Sequence, residues 1–236
     1  MADLSRSTPA THDQVEARLM FTLITMTFVT GFVDAVSYLG LGHVFTANMT
    51  GNVVLLGFAV VGATQLSVAR SLTSLAAFMV GAAIGGRIAL RSRDLSNRRW
   101  LLTAGLSEVL MLFIAAAAAM VIDRAAPFGV YVVIVFTALP MGLRTATVRR
   151  LGVADITTTV LTTTLAGLTA DSSLVGGNNP RFRRRIGSVL AMCTGAALGA
   201  LLMRVNLALP LVVGAFCVLV AVISAARQGT VGAGAS

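Results

Sequence analysis

GFVDAVSYLGLGHVFTANMTGN, from Gly31 to Asn52, is the stretch from which the rest of the chain can be read. It places Asp34, Thr46, Asn48, Thr50 and Asn52 among glycines, inside a sequence that is otherwise largely hydrocarbon. Polar groups in such surroundings must be hydrated, bound or paired, because an unsatisfied one is costly in lipid. A second interruption, GLRTATVRRLGVADITTTVLTTT from Gly142 to Thr164, lies about half a chain downstream.

Over its whole length of 236 residues the chain is 56% hydrophobic and only 11% charged, with a mean hydropathy of +0.88. Several apolar runs match the length that spans a bilayer, so the chain reads as an all-α integral membrane protein. All 18 basic residues are Arg and the formal net charge is +9, which in a membrane protein records topology and contact with the lipid bilayer's anionic headgroups. Nucleic acid is not the expected partner, since the Arg clusters are short and carry no interleaved aromatics. Cys193 and Cys217 fall inside apolar runs and read as small hydrophobes. With no CxxC and only His12 and His43 to help, no metal site or cofactor is expected. Residues 1–17 form a polar tail, and the apolar stretch after them is too long for a signal peptide, so the first helix is expected to stay in the mature protein.

Eight apolar runs follow: Leu19 to Leu39, Phe45 to Leu66, Leu72 to Leu90, Trp100 to Ile122, Phe128 to Val148, Ile156 to Ala170, Ile186 to Met203 and Leu207 to Ala225. Eight simple crossings from a cytoplasmic N-terminus would put the Arg-rich run from Arg91 to Arg99 outside, against the positive-inside tendency. The run from Ile156 to Ala170 is short, Thr-rich and flanked at both ends by arginines, so it is expected to enter and leave on the cytoplasmic face as a re-entrant half-helix. Phe45 to Leu66 would be its external counterpart. About six transmembrane helices remain, with both termini cytoplasmic.

A repeat supports this map. Gly31 aligns with Gly142 (142 − 31 = 111), and AFMVGAAIGG from Ala77 aligns with AMCTGAALGA from Ala191. The expected units are residues 18–123 and 124–227, followed by a flexible tail at 228–236. Each unit would have an odd number of true crossings, so the second would be inverted relative to the first, the usual plan of secondary transporters.

Thr27, Gly31, Asp34 and Tyr38 follow at helical steps and share one face. Asp34 either lines a pathway or caps the re-entrant segment, and the face it shares favours the pathway. Asn48, Thr50, Gly51 and Asn52 fall where loop becomes half-helix, with Thr157 to Thr159, Thr162 and Thr164 in the mirrored place. Two half-helix N-termini meeting near the midplane would form a pocket for a small polar or anionic solute. The alternative is that these side chains only satisfy irregular backbone. Glu108 lies well inside a span and is either a proton carrier beside Asp34 or a structural partner for Arg87 or Arg144. Arg144 is a candidate counter-ion to an anionic substrate or to Asp34, although its neighbours Arg149 and Arg150 favour a cytoplasmic interface role. Gly81 and Gly85, like Gly195 and Gly199, permit close helix approach, either between the halves or at a homodimer seam.

Asp34-Ala35, Leu39-Gly40-Leu41-Gly42 and Thr46-Ala47-Asn48-Met49-Thr50-Gly51-Asn52, with Gly142 and Arg149-Arg150-Leu151-Gly152, resemble the YoaK-like domain-of-unknown-function family of bacterial membrane proteins. The resemblance runs from about Leu19 to Ala226. It implies about six spans in the bacterial inner membrane and brings no substrate or catalytic residues. In the second half Thr162-Thr163-Thr164 stands opposite Thr50-Gly51-Asn52, so the two half-sites are expected to differ.

The expected function is a secondary transporter of a small polar or anionic solute, with Asp34 and Glu108 as the candidate proton-coupling residues. A passive channel on the same fold and a non-transporting assembly or partner-binding protein are the alternatives. No enzyme is expected, because the chain has no nucleophile–base pair, metal cluster or phosphate loop.

Overall fold

The computed structural model describes residues 9–91, 97–121, 127–150, 161–178 and 182–226. The helices are α1 (Pro9–Gly40), α2 (Met49–Val60), α3 (Val68–Arg91), α4 (Asn97–Val121), α5 (Pro127–Arg150), α6 (Leu161–Ala170), α7 (Phe182–Leu202) and α8 (Leu209–Ala226). Among the described residues every regular element is helical, the remaining one being a 3-10 turn at Ser173–Val175. Each apolar run of the sequence contains one helix. The second helix starts later than its run, at Met49, because the Asn48 side chain caps it. Ile156 and Thr157 to Thr159 lie outside the described residues.

Among the described residues, five helical stretches are long and apolar enough to cross a membrane: Met20–Gly40, Val68–Arg91, Leu102–Val121, Phe128–Arg149 and Phe182–Leu202. The 18 residues of α8 rise about 27 Å, close to a hydrocarbon core of about 30 Å. By the same rise the 12 residues of α2 reach only about 18 Å, too short to cross, and the ten described residues of α6 rise about 15 Å. The chain is thus an all-α membrane protein.

The packing repeats between the halves. The most extensive pairs are α3 on α5 and α1 on α7, followed by α4 on α8. α4 also packs on α5 as α8 does on α1, and α2 rests on α3 as α6 rests on α7. Each half therefore depends on the other for its main contacts.

Small residues permit this interlocking. A methyl group at Gly81 would come within 2.0 Å of the Leu139 carbonyl oxygen, and one at Gly195 within 2.0 Å of the Phe28 carbonyl oxygen. Gly85 lies against Leu143 and Gly199 against Phe32. These four glycines lie in helix contacts within the chain.

Burial separates the inside of the bundle from its lipid face. The α1 span is 72% buried and the α3 and α7 spans only 22% each, which makes α1 the central helix. Leu72, Met79, Val80 and Ile84 on α3 and Leu190, Leu198 and Leu201 on α7 point outward, as lipid contact requires. Val29 and Val33 of α1 pack in the interior with Leu112, Ile134, Leu211 and Val218.

Candidate functional site

The site begins where α1 ends. The His43 amide donates to the Tyr38 carbonyl at 3.0 Å, and Gly42 (φ 89°) and His43 (φ 59°) both adopt the left-handed conformation. Glycine takes that conformation without a steric penalty, so it suits the first of the two positions. The turn sends the chain back along α1, and the Ala47 amide reaches Asp34, donating to Oδ1 at 3.0 Å. The amides of Thr46 and Asn48 lie beside the same carboxylate.

Asn52 secures the loop from its other side. Its Oδ1 accepts the Phe45 amide at 2.8 Å, while its Nδ2 donates to the Phe45 carbonyl at 2.5 Å and to Ser74 Oγ at 3.2 Å. Ser74 in turn donates to the Phe45 carbonyl at 2.6 Å, tying the loop to α3. At the start of α2, Asn48 Oδ1 accepts the Gly51 amide at 3.3 Å. The polar segment is thus held by specific bonds at both ends rather than by lipid-facing packing.

A cavity of about 400 Å3 opens beside this segment. Its polar lining is Asp34, Asn48, Thr50, Gly51 and Thr162, and Tyr38, Phe45, Leu161 and Met192 form apolar walls. The first residues of α2 and of α6 therefore border one space, with α1 and α7 as its sides. Tyr38 stacks on Phe45 with ring centroids 4.9 Å apart, and His43 meets the other side of Tyr38 edge-on at 5.2 Å. Asp34 is only 5% exposed, and its Oδ2 has no hydrogen-bond partner.

The structure thus groups Asp34, Asn48, Thr50, Gly51 and Thr162, and separates other residues expected with them. Asn52 is fully buried and both of its amide groups are engaged by the loop and α3, so it supports the site from behind. Thr164, two residues beyond Thr162 and so on the other side of α6, is buried and does not border the cavity.

Arg144 also departs from expectation. Its residue is 6% exposed, because α5 continues to Arg150 and leaves Arg144 inside the bundle, with Arg149 exposed nearer the helix end. Its Nη1 bonds to Glu108 Oε1 at 2.9 Å and to the Met26 carbonyl at 3.0 Å, and its Nη2 donates to Thr30 Oγ1. Arg144 is therefore the counter-ion of Glu108, holding α1, α4 and α5 together, rather than an interface residue or a wall of the cavity. Glu108 is fully buried and its Oε2 has no hydrogen-bond partner. Among the described residues no cluster of His, Cys, Asp and Glu has the makings of a metal site.

Sequence reasoning did not single out Phe45, Ser74, Thr30 or Met192. Phe45 and Tyr38 are separated by seven residues across a turn, a spacing whose meaning depends on the turn itself. The others belong to elements distant in the chain.

The family described as a protein of unknown function (DUF1275) matches residues 22–224, a range that contains every residue of the cavity. The chain is 40% identical over 153 residues to the UPF0700 transmembrane protein YoaK of Bacillus subtilis (strain 168), a match that covers 64% of this chain and 67% of that protein. No solved structure matches. With this match over most of its length, on an all-helical membrane architecture, the chain belongs to the DUF1275 family.

Proposed function

We propose that the protein is a secondary transporter that carries a small polar solute across the bacterial inner membrane by alternating access. One observation carries this reading: the first turn of α2, a helix too short to cross, borders the same cavity as Leu161 and Thr162 of α6, next to a buried carboxylate whose Oδ2 has no hydrogen-bond partner. Discontinuous helices from two related halves, meeting at a polar site within the membrane, are the common plan of transporter binding sites.

On this reading α2 and α6 are re-entrant, from outside and from the cytoplasm respectively. α1, α3 and α4 cross in the first half and α5, α7 and α8 in the second. An odd number of crossings per half makes the repeats inverted and leaves both termini cytoplasmic. The matched contacts of α1 on α7 and α5 on α3 support a pair of related units able to rock about the site. Asp34 is the carboxylate placed to exchange protons with the cavity, whereas Glu108 is committed to Arg144.

Uptake of a panel of labelled polar solutes into proteoliposomes tests the reading, with Thr50→Trp as the blocked control. A transporter gives saturable uptake in the native protein and none in the variant. Flux that rises linearly with concentration would mean a channel, and no flux of any solute would favour a partner-binding protein.

A further inference from the structure

The charges buried around the site do not balance. Asp34 and Glu108 are acidic and Arg144 is basic, and Arg144 spends its Nη1 on Glu108, 2.9 Å away. Arg144 acts on Asp34 only through space, and no Arg or His is among the described residues lining the cavity. With both carboxylates ionised the set carries one uncompensated negative charge, and it resides at the cavity wall. An isolated charge in a membrane interior is costly, so such a group is matched by a counter-charge when one is available.

At the entry to α2 a carboxylate already stands where an anion would bind: Asp34 Oδ1 accepts the Ala47 amide, and Asn48 Oδ1 accepts the Gly51 amide. What remains unsatisfied is an acceptor, Asp34 Oδ2. Beside it on the cavity wall are the rings of Tyr38 and Phe45, stacked on each other. A space of about 400 Å3 is far larger than a bare metal ion needs and suits a molecule of several carbons.

We propose that the cavity binds a small organic ammonium ion. The Asp34 carboxylate is its counter-ion, the stacked rings of Tyr38 and Phe45 wall its carbon part, and the Thr50 and Thr162 hydroxyls meet its polar remainder. The proposal names the substrate class for the transport reading and rests on the same cavity, and it replaces the anionic solute expected from helix N-termini alone.

The test is a melting-temperature titration of the purified protein in lipid nanodiscs at neutral pH. The probes are short alkylamines and amino alcohols, with carboxylates and alcohols of matched size as controls. Amines are expected to raise the midpoint by several degrees and the controls to leave it unchanged, because a ligand that binds only the folded state stabilises it by mass action. Asp34→Asn keeps an acceptor for the Ala47 amide and should lower amine affinity at least about tenfold, the scale of a lost charge-assisted bond. Thr162→Phe fills the cavity from the exposed side of α6, leaves Asp34 in place, and should lower affinity comparably.

The proposal is overturned if amines bind equally well to both variants, if carboxylates stabilise the protein instead, or if no amine shifts the midpoint up to about 10 mM. Amine binding without uptake in proteoliposomes would refute transport and leave the site intact. Saturable uptake of a sugar or carboxylate, blocked by Thr162→Phe, would keep transport and overturn the ammonium assignment.

Discussion

Gly31 and Gly142 sit 111 positions apart and make the same contact in opposite halves. Gly31 lies on the Met192 carbonyl of α7, where a methyl group would come within 2.5 Å, and Gly142 lies on the Phe78 carbonyl of α3, where it would come within 2.0 Å. Without hydrophobic driving force between helices in lipid, such close backbone approach is what packing relies on.

Larger side chains at these positions should separate the helices. Gly142→Leu and Gly31→Leu are each expected to destabilise the folded protein by about 3 kcal/mol or more, since backbone rather than a movable side chain stands in the way. Gly57→Ala is the control, because nothing lies within 4 Å of the added methyl group. It should be neutral or stabilise by up to about 1 kcal/mol, through helix propensity. Melting in detergent ranks all three, and equal midpoints would contradict the packing.

The ion pair of Glu108 and Arg144 predicts strong coupling. Glu108→Gln or Arg144→Met alone leaves a buried charge without its partner and should cost about 3–5 kcal/mol. The double change Glu108→Gln with Arg144→Met should recover much of that loss, because burying two charges is itself costly. A double-mutant cycle on thermal stability measures this, and additive losses would show that the two residues act independently.

Asn52 is expected to matter for stability more than for ligand contact. Asn52→Leu removes its bonds to the Phe45 backbone and to Ser74 and leaves those groups unpaired, a loss of about 2–4 kcal/mol. Ser74→Ala should cost about 1 kcal/mol by removing one neighbour of the same network. If Asn52→Leu melts like the native protein, the loop is held by something other than this asparagine.

The topology predicts opposite labelling patterns at two turns. In a variant with Cys193 and Cys217 replaced, a membrane-impermeant thiol reagent applied to whole cells should label His43→Cys. Asn178→Cys should react only after the cells are opened. Labelling of both from the same side would rule out the inverted arrangement.

The surface ion pair offers a contrast with the buried one. Arg185 Nη1 meets Asp171 at 2.6 Å and also the Gly167 carbonyl at 2.7 Å, joining the end of α6 to the start of α7. The Asp171 side chain is 43% exposed, so Asp171→Asn should cost at most about 1 kcal/mol. A loss as large as that of Glu108→Gln would mean the pair is shielded from solvent.

Much of the architecture could be read along the chain because hydropathy, helix length and the repeat of Gly31 at Gly142 are local or periodic properties. The same is true of the polar character of the segment from Asp34 to Asn52, since such groups are conspicuous among apolar residues. Roles within that segment were not legible, because they depend on which way each side chain faces after the turn at Gly42 and His43. Asn48 and Asn52 look equivalent in sequence, yet one borders the cavity and the other is enclosed against Ser74.

Arg144 shows the limit most clearly. Its neighbours Arg149 and Arg150 suggested an interface, and only the approach of α4 and α1 to α5 reveals that its guanidinium meets Glu108, Met26 and Thr30. Composition and hydropathy were enough for an all-α polytopic membrane protein. Which charges neutralise one another, and therefore which one is left facing the cavity, followed from tertiary packing, because electrostatic pairing depends on distance in space and residues far apart in sequence supply the partners.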